Sequence, residues 1–243
     1  MSMSEAFKYS SINKNLIDSL IKGYIYCASL EKLNDPLDCR VDLVAAIKRA
    51  ISKSKGKAKE NLQGLLDSND FIDSITKKVT EVGICSFSRQ LLMPMMWSHY
   101  ADEHKGLCLL YRIPDAFINF DQNRIIGTST MIYGDNIFTD SLVEAAEGLS
   151  DVEVTEIYKS IVVPLFTAKG QDWDVEDEWR IIREFPGPLV IERKWLAQIC
   201  FGMATPERDK ELIRNIVERC EYEIEFCEIQ RSDTNFSLEA IDL

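Results

Sequence analysis

Apolar and polar positions along the chain alternate between two periods. From Lys14 to Lys22, Leu16, Ile17, Leu20 and Ile21 fall on one stripe at helical spacing. Asn13 can cap that helix and Gly23 can end it. Tyr24-Ile25-Tyr26-Cys27-Ala28 reads as a strand, after a short extended start at Phe7-Lys8-Tyr9-Ser10. From Val41 to Val82 the period is helical, with breaks at Ser54-Lys55-Gly56 and Asp67-Ser68-Asn69, so two or three helices are expected there as an insertion, a candidate lid or cap. Strand patterns follow at Gly83 to Phe87 and Leu107 to Arg112, with a polar, aromatic helix between them. Met131 to Tyr133 is a weak strand. Ser141 to Gly148 and Val152 to Phe166 read as helices, Glu178 to Arg183 as a strand, Pro186-Gly187-Pro188 as a turn, and Leu196 to Gly202 as a buried strand. Thr205-Pro206-Glu207 should open a helix, with Thr205 as cap and Pro206 in the first position. Tyr222 to Ile229 alternates as a last strand. The order is that of a single α+β domain over 1–243 with a helical insertion at 41–82, not a regular βαβ series.

Composition narrows the function classes. The chain has 243 residues, is 46% hydrophobic, and carries a net charge of −12. An acidic chain lacks the excess of Lys and Arg that duplex nucleic acid needs. Asp135 to Arg180 holds twelve Asp and Glu against Lys159, Lys169 and Arg180, whereas Lys48, Arg49, Lys53, Lys55, Lys57 and Lys59 form a run with no acid inside it. That basic run reads first as a solvated helix–loop–helix surface, and second as a local anion or nucleic-acid contact. Seven scattered cysteines without a CxxC read as buried free thiols in a reducing compartment. No secretion signal and no apolar run near 18 residues is present, which predicts a cytoplasmic protein without a membrane span.

The chemistry concentrates in two stretches. Trp97-Ser98-His99-Tyr100-Ala101-Asp102-Glu103-His104-Lys105-Gly106 holds both histidines, and Trp173 to Arg180 holds Glu176-x-Glu178. Two carboxylates at a strand start would face one way and repel, which raises one pKa and separates acid from base; the plain alternative is a solvated acidic loop. Ser86-x-Ser88 ends a strand with both hydroxyls on one face, or simply leaves a sheet. Trp97 and Tyr100 could stack on a planar ring, or pack the core. His99 reads as a hydrogen-bonding site residue rather than a metal ligand, because His99 and His104 lack the HExxH spacing. Lys8 and Tyr9 could point into a cleft. There is no GxGxxG, P-loop or GxSxG. We expect the two stretches to meet in one pocket.

Phe7-Lys8-Tyr9, Asn34-Asp35-Pro36-Leu37-Asp38, Cys85-Ser86-Phe87-Ser88, the Trp97 to Gly106 block and Trp173…Glu176-x-Glu178-Trp179-Arg180 together resemble a bacterial domain-of-unknown-function family, DUF2971, over nearly the whole chain. More distantly, the order of elements is similar to ADP-ribosyltransferases, which bind NAD between two small mixed sheets. That likeness implies NAD as substrate and a macromolecular acceptor. It implies Glu178 in the NAD-ribose role and Glu176 activating the acceptor. Ser86 and Ser88 would lie on the nicotinamide side, with Lys8, Tyr9, Trp97, Ser98, His99 and Tyr100 lining the site. A strand-one Arg is expected by the likeness; Lys8, Tyr9 or Ser10 stands there instead. The reading is a mono-ADP-ribosyltransferase of the toxin or phage-defence kind. Its rivals are a non-catalytic nucleotide- or partner-binding module, and a metal-dependent nuclease or hydrolase using His99, Asp102, Glu176 and Glu178.

Overall fold

A computed structural model describes residues 3–118, 121–148 and 162–243. Strand β1 (Met3–Ser10) runs antiparallel to β4 (Leu107–Pro114) along its whole length, from Met3↔Pro114 to Ser10↔Leu107. Helix α1 (Lys14–Lys22) follows. The Asn13 side chain accepts hydrogen bonds from the Asn15 and Leu16 amides, and Gly23 at φ 69° closes the helix through a bond to Ser19, as the sequence predicts. The left-handed cap is where glycine costs least. Beyond β4 the sheet continues through β10 (Leu196–Phe201), parallel β11 (Glu225–Arg231) and β12 (Leu238–Asp242).

On the other side of β1 lies β3 (Gly83–Ser88), joined to β1 by the single pair Phe7↔Ser88. Strand β3 pairs along its length with β8 (Glu178–Arg183), which also pairs β5 (Ile125–Thr130). It meets β2 (Tyr24–Ser29) only at Ala28 and Ser29, and β2 carries β9 (Gly187–Val190) at the edge. The resemblance to ADP-ribosyltransferases implied two small mixed sheets. The described residues show one ten-stranded sheet that one residue pair almost divides, plus a two-stranded parallel pair, β6 (Ile132–Tyr133) and β7 (Ala168–Lys169). The architecture is α+β.

The helices of 41–82 are α2 (Leu43–Lys53), α3 (Gly56–Asp67) and α4 (Asn69–Glu81). With α7 (Ile137–Gly148) they close an apolar cluster of their own around Ile47, Leu62, Ile75 and Leu142. Helix α5 (Pro94–Tyr100) covers one face of the β1 half, and a four-residue turn of helix, α6 (Asp115–Ile118), follows β4.

Several expectations are corrected. The strand-like alternation at the Glu176-x-Glu178 pair is broken: Asp177 sits at φ 42°, so Glu176 ends a 3-10 turn (Gln171–Glu176) and the strand begins at Glu178. The Pro186–Pro188 stretch is not only a turn, because Gly187 already starts β9. Thr205 does not cap α8 (Glu207–Arg219); Pro206 occupies the cap, and the Thr205 hydroxyl donates to the Gly106 carbonyl. Cys200 and Cys227, cross-strand partners in β10 and β11, are disulfide-bonded rather than free. Of the helix expected at 152–166, residues 152–161 lie outside the described residues, and 162–167 are helical. Among the described residues no helix is long and apolar enough to cross a membrane.

Candidate functional site

Past the Phe7↔Ser88 pair, β1 and β3 diverge and leave a cleft of about 420 Å³. Its walls bring together Lys8, Tyr9, Ser86, Ser88, Tyr100, Glu176 and Glu178, seven of the ten site residues predicted from sequence. Register explains the convergence. Ser88 is the cross-strand partner of Phe7 on one side and of Glu178 on the other, so β1, β3 and β8 present one row of side chains to the same opening.

The acidic pair is buried and fully engaged. Glu176 and Glu178 are 4% and 3% exposed. The Lys169 ammonium, carried in by the two-residue strand β7, lies 2.5 Å from Glu176 Oε2 and 2.8 Å from Glu178 Oε2. The Arg180 Nε donates to Glu178 Oε1 at 2.6 Å, while both terminal nitrogens of the Arg180 guanidinium reach the Asp38 carboxylate. The Tyr100 hydroxyl donates to Glu176 Oε1 and accepts from the Asn34 amide at 2.8 Å. Tyr133 accepts the Glu178 backbone N–H at 2.8 Å.

This network reverses the electrostatic expectation. Repulsion inside the acidic pair should have raised one carboxyl. Burial does push the Glu178 carboxyl up, but Arg180 and Lys169 outweigh it and hold it down at about 2. Lys169 is pushed down by burial and raised further by Glu178 and Glu176, so it stays protonated. Burial and the Glu176 carboxylate raise the Tyr100 phenol well above its ordinary value. Glu178 is therefore an anion at every physiological pH. It can accept hydrogen bonds or face a developing positive charge, and it is no general acid.

The cleft also holds two cations that the carboxylates do not consume. Lys8 donates to the Ser86 carbonyl at 3.1 Å and lies 5.2 Å from the centre of the Phe87 ring. Lys32, from the turn after β2, lies 5.6 Å over the Tyr26 ring. Among the described residues neither has a carboxylate within ion-pair distance, whereas Lys169 and Arg180 are both bound.

The remaining predicted residues fall elsewhere. Trp97 is fully buried; its indole N–H donates to the Leu91 carbonyl at 2.7 Å and its ring meets Tyr9 edge-on at 5.2 Å, so it is core. Ser98 is exposed, its hydroxyl donating to the Pro94 carbonyl. His99 is exposed and lines a neighbouring cavity of about 300 Å³ with Met95, Asp172 and Trp173, which meets the first through Met96, Tyr100 and Glu176. The Tyr9 hydroxyl is spent on the Gln90 and Leu91 carbonyls, at 2.6 and 2.9 Å. His99, Asp102, Glu176 and Glu178 do not form a metal-ligating group: among the described residues no three His, Cys, Asp or Glu side chains are arranged to hold an ion.

Sequence reasoning missed Lys32 altogether, and quoted Lys169, Asn34, Asp38 and Arg180 without a role. Lys169 stands nine residues before Glu178 in an acidic region, and its isolation there as one of three cations is the signal that could have found it.

A family model described as a protein of unknown function (DUF2971) matches residues 96–181. That span runs from α5 to β8 and carries Tyr100, Lys169, Glu176, Glu178 and Arg180, but not Lys8, Asp38, Ser86 or Ser88. No curated protein and no solved structure matches significantly.

Proposed function

We propose that the cleft binds NAD and that the protein transfers its ADP-ribose to an acceptor, in the manner of an ADP-ribosyltransferase. The observation that carries this reading is the row Phe7–Ser88–Glu178 across three adjacent strands, lining a cleft with two unconsumed cations. A volume of about 420 Å³ falls in the range of nucleotide-sized sites. Lys8 and Lys32 suit an anionic diphosphate, and the Ser86 and Ser88 hydroxyls and the Asn34 amide suit a carboxamide or ribose. Glu178, held anionic, faces the positive charge that develops as the bond from ribose C1′ to nicotinamide breaks. Nicotinamide leaves with the bonding pair, the acceptor bonds to C1′, and Glu176 receives the proton the acceptor loses.

A second reading has its own observation. Both carboxylates already have charged partners, as in a structural core, so the same cleft could recognise a nucleotide without turning it over.

Nicotinamide release from labelled NAD, with and without a cell lysate, decides between them. Under the lead reading Glu178→Gln loses at least 100-fold in turnover and still binds NAD, while Lys32→Glu weakens NAD binding about tenfold with the fold unchanged. Binding of NAD without any release establishes the second reading. Turnover by Glu178→Gln at the parental rate refutes the first, as does absence of NAD binding by the parental protein.

A further inference from the structure

We propose that the basic end of the α2–α3 hairpin binds the phosphate backbone of a single-stranded nucleic acid. The inference is independent of the cleft. Helix α2 ends at Lys53 and α3 begins at Gly56, so residues 48–59 run through the second half of α2, a two-residue link and the first turn of α3. Lys48, Arg49, Lys53, Lys55, Lys57 and Lys59 are all exposed there. Arg49 and Lys53 are one helical turn apart on α2, and Lys57 and Lys59 lie in the first turn of α3, which places charge on both helices. Lys53 also meets Asp140 at 2.7 Å. In a chain of net charge −12 such a concentration of cations has a cost in mutual repulsion, and a polyanion relieves it.

One further feature of the junction suits an anion. Helix α3 has no side-chain hydrogen bond at its N-cap, Lys55, so no capping side chain competes for the positive end of its dipole.

The chemistry selects among polyanions. None of the exposed large apolar side chains lies between residues 45 and 91, so nothing there would enter a lipid surface. The same absence of exposed aromatics removes base stacking, which leaves a sequence-independent backbone contact. The surrounding negative charge repels a long rigid duplex, whereas a flexible strand can follow a patch a few residues wide.

The test is titration of the full chain with a fluorescent 20-nucleotide poly(U) or poly(dT) strand at several salt concentrations, read by anisotropy. We expect binding that weakens steeply with salt. The variant Lys48→Glu/Arg49→Glu/Lys55→Glu/Lys59→Glu should lose at least tenfold in affinity at low salt. The slope of log K against log salt should flatten by about 0.7 for each phosphate contact removed. The paired variants Lys48→Glu/Arg49→Glu and Lys55→Glu/Lys59→Glu should each show part of the loss, which keeps the test intact if the fourfold change unfolds the hairpin. Strand binding is read without NAD, so failure of this inference and failure of the cleft reading are distinguishable. No binding by the parent, unchanged binding by both paired variants, tighter binding to a 20-base-pair duplex, or preference for anionic phosphatidylserine vesicles would each overturn it.

Discussion

The buried ion cluster makes an asymmetric prediction about stability. Its members are Asp38, Glu176 and Glu178 against Lys169 and Arg180, three negative charges and two positive, with side chains 1–6% exposed. Arg180 is the hub. It is 0% exposed, holds Asp38 and Glu178 at once, and also donates to the Phe166 carbonyl at 3.2 Å. Replacing Arg180 by Met keeps most of the volume and leaves three buried carboxylates facing one ammonium. Removing one partner of a buried pair costs about 3–5 kcal/mol, and Arg180 serves two carboxylates, so the upper part of that range is expected. Asp38→Asn does the opposite. It removes the excess negative charge and leaves an amide oxygen that still accepts from Arg180, so its cost should be about 1–2 kcal/mol.

Urea denaturation at pH 7 measures both, with the slope of the transition checking that the unfolded state has not changed. In a chain of this length the Arg180→Met loss corresponds to a melting temperature lower by roughly 10 °C. The double variant should be less destabilised than the sum of the singles, because Asp38→Asn removes one of the charges that Arg180→Met strands. An Asp38→Asn cost equal to or above that of Arg180→Met would refute the charge-excess argument, and would mean that the bidentate geometry alone governs the cluster.

Other consequences are open to simpler measurements. The Glu178 carboxyl stands at about 2 in the fold against 4.5 when unperturbed, so the unfolded chain binds more protons between those values and stability rises with pH there. Its contribution, roughly 3 kcal/mol, is fully present above about pH 5 and is lost as pH falls toward 2; acid titration of the folded fraction should show this drop in the parent and a shallower one in Glu178→Gln. At Gly202 an added Cβ would lie 2.1 Å from the His104 carbonyl oxygen, so Gly202→Ala should cost about 3 kcal/mol by chemical denaturation.

The Gly202 contact also shows what the Trp97 to Gly106 block is for. His104 and Gly106 form a turn whose carbonyls accept from Ala204, Gly202 and the Thr205 hydroxyl, at 3.0, 3.0 and 2.8 Å. Asp102, Glu103 and His104 all take positive φ there, with the Gly106 amide closing back on Ala101 at 2.8 Å. From sequence the block looked like a site because it is polar and aromatic. Most of it is the splice between α5, β4 and the β10–α8 loop, and only Tyr100, with the buried Met96 before it, reaches the cleft. Periodicity could not separate those roles, because a tight turn and a binding segment draw on the same residues.

Elsewhere the pattern was legible where burial is strong. Helix α1 shows its one-sided stripe and both caps in the sequence, and β3 and β8, buried on both faces, show continuous apolar or alternating runs. Strand β12 buries only Leu238, and β5 is polar through Gly127 to Thr130, so neither carries a pattern strong enough to read. Strand β9 contains Pro188 opposite Tyr26, which reads as a breaker and is tolerated because β9 is an edge strand. The cleft depended on long-range pairing. Asp38 meets Arg180 across 142 positions of chain, which no local window contains, and Lys169, although only seven residues from Glu176, is turned onto it by a strand of two residues that shows no pattern.

These placements decide what kind of site the seam can be. A sheet joined by one residue pair leaves backbone and side chains unpaired on both sides of the join, and β1 and β3 must either fill that gap or line it. The chain does both. The inner end is filled by five charges that neutralise one another to within one unit and hold Glu178 ionised, and the exposed Lys32, Tyr26 and Asn34 line the outer end, with Lys8 deeper against the Ser86 carbonyl. An opening with a fixed anion at its floor and unconsumed cations further along its wall is matched by a ligand of opposite order, positive at one end and anionic further along. NAD has that order, with a cationic nicotinamide ring and a diphosphate beyond the ribose. A simple anion would satisfy those cations and meet repulsion at the floor, so nicotinamide mononucleotide should compete with NAD more effectively than inorganic pyrophosphate does. Competition in the reverse order would place the ligand on those cations alone and leave the Glu178 cluster a purely structural core.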